Sequence, residues 1–221
     1  PVSLSSGGKW EDETDFSTGG QDALEFKRYY RSQFPDIYGH VGLGWTSTYD
    51  RTLVANNSTT PTAITIYDET GSRYSFSKSG ASWLPTYSDN TAKMVEITAG
   101  SAYQITYQSD RTDQFQLITV NGVSSYVLVQ ARWRNGYQQT MAYDANGDLS
   151  TVTDSFGRTL AFTWNVHTVT LGSDTATTGV DTIASVTAVG QYRLLFTYTT
   201  QAGGSDGLTG TEVLGKVSKS N

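Results

Sequence analysis

The chain has 221 residues, a formal net charge of −6 and only 16% charged residues. It has no cysteine and only two histidines, His40 and His167, which excludes disulfide frameworks, thiol nucleophiles, iron–sulfur clusters and three-histidine metal sites. The acidic balance opposes nucleic-acid binding, which needs a basic face to displace counterions, and no stretch approaches the ~18–20 apolar residues of a membrane-spanning helix. With 33 Thr, 24 Ser, 14 Tyr and 22 Gly, the composition follows strand propensity and turn punctuation and opposes helix. It predicts an all-β protein.

Residues 1–20 are Gly/Ser-rich and then acidic, with Glu11, Asp12, Glu13 and Asp15 close together, and predict an extended entry. Opening at Pro1, the chain reads as a processed product or a fragment. Ala23 to Arg31 alternates, with Leu24, Phe26, Arg28 and Tyr30 sharing one face, and this period of two is a strand. Phe34 to Gly44 holds a proline and three glycines and is a loop; Trp45 to Leu53 resumes a strand. From Ala63 one phrase recurs, a short strand, a turn and a second strand: Ile64–Tyr67 with Arg73–Phe76, then Tyr103–Tyr107 with Gln114–Val120. Asn121-Gly122 leads into Ser125 to Trp133, and Asn135-Gly136 into Gln138 to Tyr143; Asn-Gly between alternating strands is a strong hairpin signal. Leu149–Thr153 and Phe162–Trp164 match Ile183–Thr187 and Phe196–Tyr198 at an offset of 34 residues, with an insertion near 166–180. A hairpin that buries one face must stack against neighbouring copies. Leu214 to Val217 reads as the opening of a further copy.

The chemistry-bearing residues have plain structural readings. His40 lies in a Gly-rich loop beside Asp36, and a loop histidine bonded to nearby backbone outweighs a catalytic pair; His167 sits in the insertion, an exposed residue. The Glu11–Asp15 cluster lacks calcium-loop spacing and reads as a solvated acidic strand. Gly42-Leu43-Gly44-Trp45 has neither a phosphate-loop frame nor a following helix. Four of Trp10, Trp45, Trp83, Trp133 and Trp164 fall in or beside strands, so core packing outweighs a sugar-stacking platform. No catalytic, cofactor-binding or metal residue emerges.

Residues 143–164 read YDANGDLSTVTDSFGRTLAFTW and resemble the tyrosine–aspartate (YD) repeat of Rhs proteins at Tyr143, Asp144, Gly147, Leu149, Val152, Asp154, Gly157, Arg158, Phe162 and Trp164. The first 53 residues, through Arg28, Tyr29, Gly42, Gly44, Trp45, Tyr49 and Asp50 among others, resemble the domain that precedes the repeats in Rhs-type polymorphic toxins. The segments are then a pre-repeat domain at 1–62, diverged β-hairpin repeats at 63–142, and YD repeats at 143–221. The resemblance implies successive antiparallel hairpins in a spiralling β-shell that encloses a C-terminal toxin, delivered by type VI secretion or a similar bacterial export system. The implied partners are the rest of the shell, the toxin and secretion components, with no enzymatic role and no cofactor. The alternative is a secreted β-sandwich that binds carbohydrate through exposed Trp and Tyr.

Overall fold

The computed structural model describes residues 7–32, 39–165, 169–171, 174–176, 181–188, 190, 192–201 and 211–220. The described elements are all strands: β1 (Trp10–Ser17), β2 (Glu25–Arg31), β3 (Trp45–Ser47), β4 (Thr52–Ala55), β5 (Ala63–Tyr67), β6 (Arg73–Ser79), β7 (Ser82–Pro85), β8 (Lys93–Thr98), β9 (Ala102–Thr106), β10 (Thr112–Val120), β11 (Val123–Arg132), β12 (Gln138–Tyr143), β13 (Leu149–Asp154), β14 (Thr159–Asn165), β15 (Val169–Leu171), β16 (Asp174–Ala176), β17 (Thr182–Ala188), β18 (Tyr192–Gln201) and β19 (Thr211–Ser220). The protein is all-β and built of antiparallel hairpins, as composition and periodicity predict. Among the described residues no helix is long and apolar enough to cross a membrane, which says nothing of a β-barrel span. The chain divides into two compact units, Pro1–Asp50 with Leu160–Asn221, and Arg51–Thr159.

In the first unit β1, β2 and β3 form an antiparallel sheet in that order. The alternation of Ala23–Arg31 is realised: Leu24, Phe26 and Arg28 are buried. Phe26 is wholly enclosed, its ring 6.1 Å from Phe162, 5.7 Å from Phe196 and 6.5 Å from Tyr49. Phe162 on β14 and Phe196 on β18 therefore face the same side, as the 34-residue repeat predicts. The side chain of Tyr198 lies outside the described residues, as does His167. Strands β14, β17, β18 and β19 pair in that order.

The second unit holds a closed barrel. Its strands run β10-β9-β8-β7-β6-β5-β4-β11, and β10 also pairs with β11, joining the two ends. Strand β11 divides its other edge: Tyr126 pairs with Leu53 of β4, while Gln130–Arg132 pair with β12, which carries β13. Closure is not visible in the repeat pattern, because it depends on a pairing between residues 53 and 126. The lumen is filled by Leu53, Ile64, Ile66, Phe76, Met94, Ile105, Phe115 and Leu128 from alternating positions, all buried.

Three local readings change. Trp45 to Leu53 is not one strand. The chain turns after Ser47, where the Asp50 amide donates to the Ser47 carbonyl (3.0 Å) and the Ser47 amide donates to Asp50 Oδ2 (2.6 Å). Strands β7 and β8 add a hairpin that the sequence pattern does not predict, their alternation carried by the lone inward residues Trp83 and Met94. The tryptophans are mostly not core: Trp83 is buried, Trp10 is exposed, and Trp45, Trp133 and Trp164 are half-buried. Ala184 bulges out of β17 opposite the step from Thr163 to Trp164, near the end of β14, and Trp133 stands at a turn. The Asn121-Gly122 hairpin forms as expected, both residues at positive φ (51° and 80°), the type I′ geometry that Asn-Gly favours.

Truncating Phe26 to Ala removes the ring on which Phe162 and Phe196 converge. The expected cost is about 3–5 kcal/mol, read as a lower urea midpoint at an unchanged slope.

Candidate functional site

The sequence offers no binding or catalytic cluster, and the candidate residues are those of the two motifs. The repeat motif builds turns of one design. In each, the amide of the fourth residue donates to the carbonyl of the first, and the amide of the first donates to the carbonyl of the fifth. Asp68–Ser72, Tyr107–Arg111, Trp133–Tyr137, Asp144–Asp148 and Asp154–Arg158 all follow it. The fourth position needs positive φ and is Gly71, Gly136, Gly147 or Gly157, with Asp110 (φ 61°) in the remaining turn. Where the first residue is aspartate, one carboxylate oxygen accepts the third and fifth amides: Asp68 from Thr70 and Ser72, Asp144 from Asn146 and Asp148, Asp154 from Phe156 and Arg158, all at 2.8–3.0 Å. This is the physical content of Asp-x-x-Gly.

Around this frame the other motif residues find distinct tasks. The Tyr143 hydroxyl donates to the Leu128 carbonyl (2.7 Å), tying β12 to β11. Leu149 and Val152 are buried. Asp154, itself buried, uses its second oxygen to accept Arg158 Nε (2.6 Å) and the Tyr137 hydroxyl (3.3 Å), and the Arg158 guanidinium lies over Phe156. Sequence reasoning placed Asp154 and Arg158 but missed Tyr137, whose signal was only its position after Asn135-Gly136.

The pre-repeat residues gather on β2 and β3 and the loop before them. Arg28 is buried, pairs with Asp15 (3.0 Å, Nη2 to Oδ1), and lies 4.7 Å from the Trp45 ring centre. A buried cation with two partners of this kind is satisfied both as an ion and as a plane. Tyr29 pairs in register with Asp12 of β1 and Thr46 of β3. Gly42 and Gly44 hold φ of 100° and 73°, and a Cβ on Gly44 would meet the Tyr30 ring at 3.0 Å. The Tyr49 hydroxyl donates to the Glu25 carbonyl (3.0 Å). Of the acidic cluster, Glu11 pairs with Lys9, Asp12 with Arg31 and Asp15 with Arg28. Three separate cations take three of the carboxylates. Among the described residues no group of three or more potential metal ligands forms.

Asp50 is the partner that sequence reasoning missed for His40. Its carboxylate meets His40 Nδ1 in a short contact, whereas Asp36, the partner weighed from sequence, lies outside the described residues. The His40 ring stands edge-on to Trp164 at 5.1 Å, and its carbonyl accepts the Ile183 amide at 2.8 Å. The loop is thus fastened to β14 and β17. An aspartate on Nδ1 fixes an imidazole's tautomer and orientation, so the pair can hold a proton in place, and here its neighbours make it a latch.

Four further charges close one end of the barrel. Arg51 donates to Glu69 (2.9 Å) and Asp113 (3.0 Å), and Arg111 donates to Glu69 (2.7 and 3.2 Å) and faces Asp113 Oδ2 at 3.4 Å. Arg51 and Asp113 are buried. The only sequence signal was parity, since Asp113 shares a face with Phe115 and Arg51 with Leu53. Burial alone would raise the Glu69 pKa, but Arg51 and Arg111 outweigh it and hold the carboxyl at about 2, below the ordinary 4.5. Asp50 is likewise held below its ordinary value: burial pushes it up, and the His40 imidazole and Ser47 hydrogen bonds more than offset that.

Both carboxylates have depressed folded-state values, so the stabilisation each gives is present above the ordinary carboxylate range and is lost as pH falls below that range, for Glu69 through about 2. For Glu69 the loss is on the order of 3 kcal/mol. Glu69→Gln is expected to be less stable at pH 7 and to flatten the decline of the urea midpoint between pH 5 and 2.

Residues 1–76 match a family described as a domain of unknown function (DUF6531). No curated protein matches the chain.

Proposed function

We propose that this chain is a wall segment of an Rhs-type β-shell, whose work is to enclose a C-terminal toxin domain and help deliver it through a bacterial export system. The observation that supports this best is the pair of turns at Asp144 and Asp154. They lie 10 residues apart, share one aspartate-capped design, and coincide with the positions at which the sequence resembles the YD repeat. Such a unit puts a strand reversal at a regular interval and satisfies its own turn amides. A sheet can therefore be lengthened by copying the unit, without redesign of each bend. In this reading Tyr143, Asp144, Gly147, Leu149, Asp154, Gly157, Arg158, Phe162 and Trp164 are wall residues with no catalytic task. Arg28, Tyr29, Gly42, Gly44, Trp45, Tyr49 and Asp50 shape the segment before the wall.

The reading is tested on the full-length gene product from its native host. Its C-terminal region should resist protease while the shell is intact and become cleavable when the shell is opened by denaturant. Electron microscopy should show density inside a hollow particle, and a strain carrying it should inhibit a competitor that lacks immunity. A C-terminal region digested at the rate of a free domain, with no enclosed density, overturns the proposal.

Asp154→Ala removes the carboxylate that accepts from two turn amides, the Tyr137 hydroxyl and the Arg158 guanidinium. The expected destabilisation is about 2–4 kcal/mol. Thermal unfolding measures it, and Asp154→Asn, which keeps one acceptor oxygen, should recover part of the loss.

A further inference from the structure

A cleft of about 290 Å³ opens on the second unit, lined by Ser72, Arg73, Tyr74, Tyr87, Asp89 and Asn90. It joins the turn between β5 and β6 to the connection between β7 and β8. Its floor is fixed. The Tyr74 ring stands edge-on to Tyr107 at 5.1 Å, and its hydroxyl donates to Asp68 at 3.4 Å. Asn90 Nδ2 donates to the Ser75 carbonyl (3.1 Å), and its Oδ1 accepts the Ala92 amide (3.0 Å). Its rim is different. Tyr87 is 52% exposed, with the Arg73 guanidinium 5.6 Å from its ring centre. Arg73 and Asp89 are the two charged side chains lining the cleft, and neither forms an ion pair among the described residues.

We infer that this cleft binds a single saccharide ring. The size lies just below the ~300–1,000 Å³ of small-molecule sites, room for one sugar ring. The exposed tyrosine offers an apolar ring face. A guanidinium supplies only donors and a carboxylate only acceptors, so together they meet vicinal hydroxyls, each of which both donates and accepts. The two charges cancel, which suits a neutral ligand. An amphoteric ligand such as a free amino acid would instead depend on ion pairing at an exposed rim, where such pairs contribute ~0–1 kcal/mol. Tyr74 and Asn90, already locked by the fold, give the ring a rigid floor and spare the ordering cost that weakens small-ligand binding. The inference does not rest on the shell reading, and either can fail alone.

The test is a nitrogen–proton correlation NMR titration of the 221-residue chain with glucose, galactose and N-acetylglucosamine, with alanine as the amino-acid control. A saturable shift of the amides of residues 72–74 and 87–90 with at least one sugar, and none with alanine, is expected. Tyr87→Ala and Asp89→Ala, both at exposed positions, should each weaken that binding about tenfold or more, while Tyr87→Phe retains it. Unmoved amides with all three sugars, a response to alanine, or equal binding by Tyr87→Ala overturns the inference.

Discussion

A strand that pairs with its predecessor must reverse within a few residues, and the reversal leaves amide hydrogens with no strand to receive them. That constraint governs this protein more than any single packing contact. Asp68, Asp144 and Asp154 meet it with a side-chain oxygen that accepts two turn amides at once. The following glycine supplies the positive φ that lets the next strand leave in register. Once each bend satisfies its own polar groups, the strands between can be given over to the alternation that fills a core.

The few charges that are buried are treated differently at each place. Arg28 takes one carboxylate and one aromatic face, an arrangement that lysine cannot reproduce because it lacks the planar fork. The barrel end takes two arginines and two acids, a set whose charges sum to zero. At the other end Glu96 gathers Lys78, the Trp83 indole, the Tyr103 hydroxyl and the Gly100 amide around a single carboxylate. Polar groups at both ends of an apolar lumen fix which residues may sit at each level, because a register slip of one residue would carry Asp113 to the outside and an outward neighbour into the charged cluster.

The fold class and most hairpins were legible in the sequence because they are local. Period-two alternation in Ala23–Arg31, and Asn121-Gly122 between two such runs, each carry their meaning within a dozen residues. What was not legible is what depends on distant partners. Barrel closure rests on a β4–β11 pairing across 73 residues, and no local pattern encodes it. The same holds for His40, whose ring meets Asp50, ten residues further along the chain. The tryptophans misled for a further reason. Trp10 and Trp45 open their strands, Trp164 stands one residue from the end of β14 and Trp133 at a turn, where fewer neighbours cover a large ring, so strand propensity alone overstates its burial. Of the candidate residues, Asp144, Asp154 and their glycines were readable as turn formers, whereas Tyr137 and Glu69 were not, since their roles come from neighbours supplied by other strands.

The two edges of β11 carry a consequence for how the barrel assembles. One edge joins β10 through a two-residue turn and an extended run of register pairs; the other reaches β4 at Tyr126 and Leu53. The first contact needs almost no chain to be closed, while the second must gather a long intervening segment before any bond repays the lost freedom. Local hairpins therefore zip first, and the β4–β11 line is the seam that closes last. A seam joined late and by few pairs is also the line along which the barrel would part under load. Pulled apart mechanically, the second unit should open there and leave its hairpins standing.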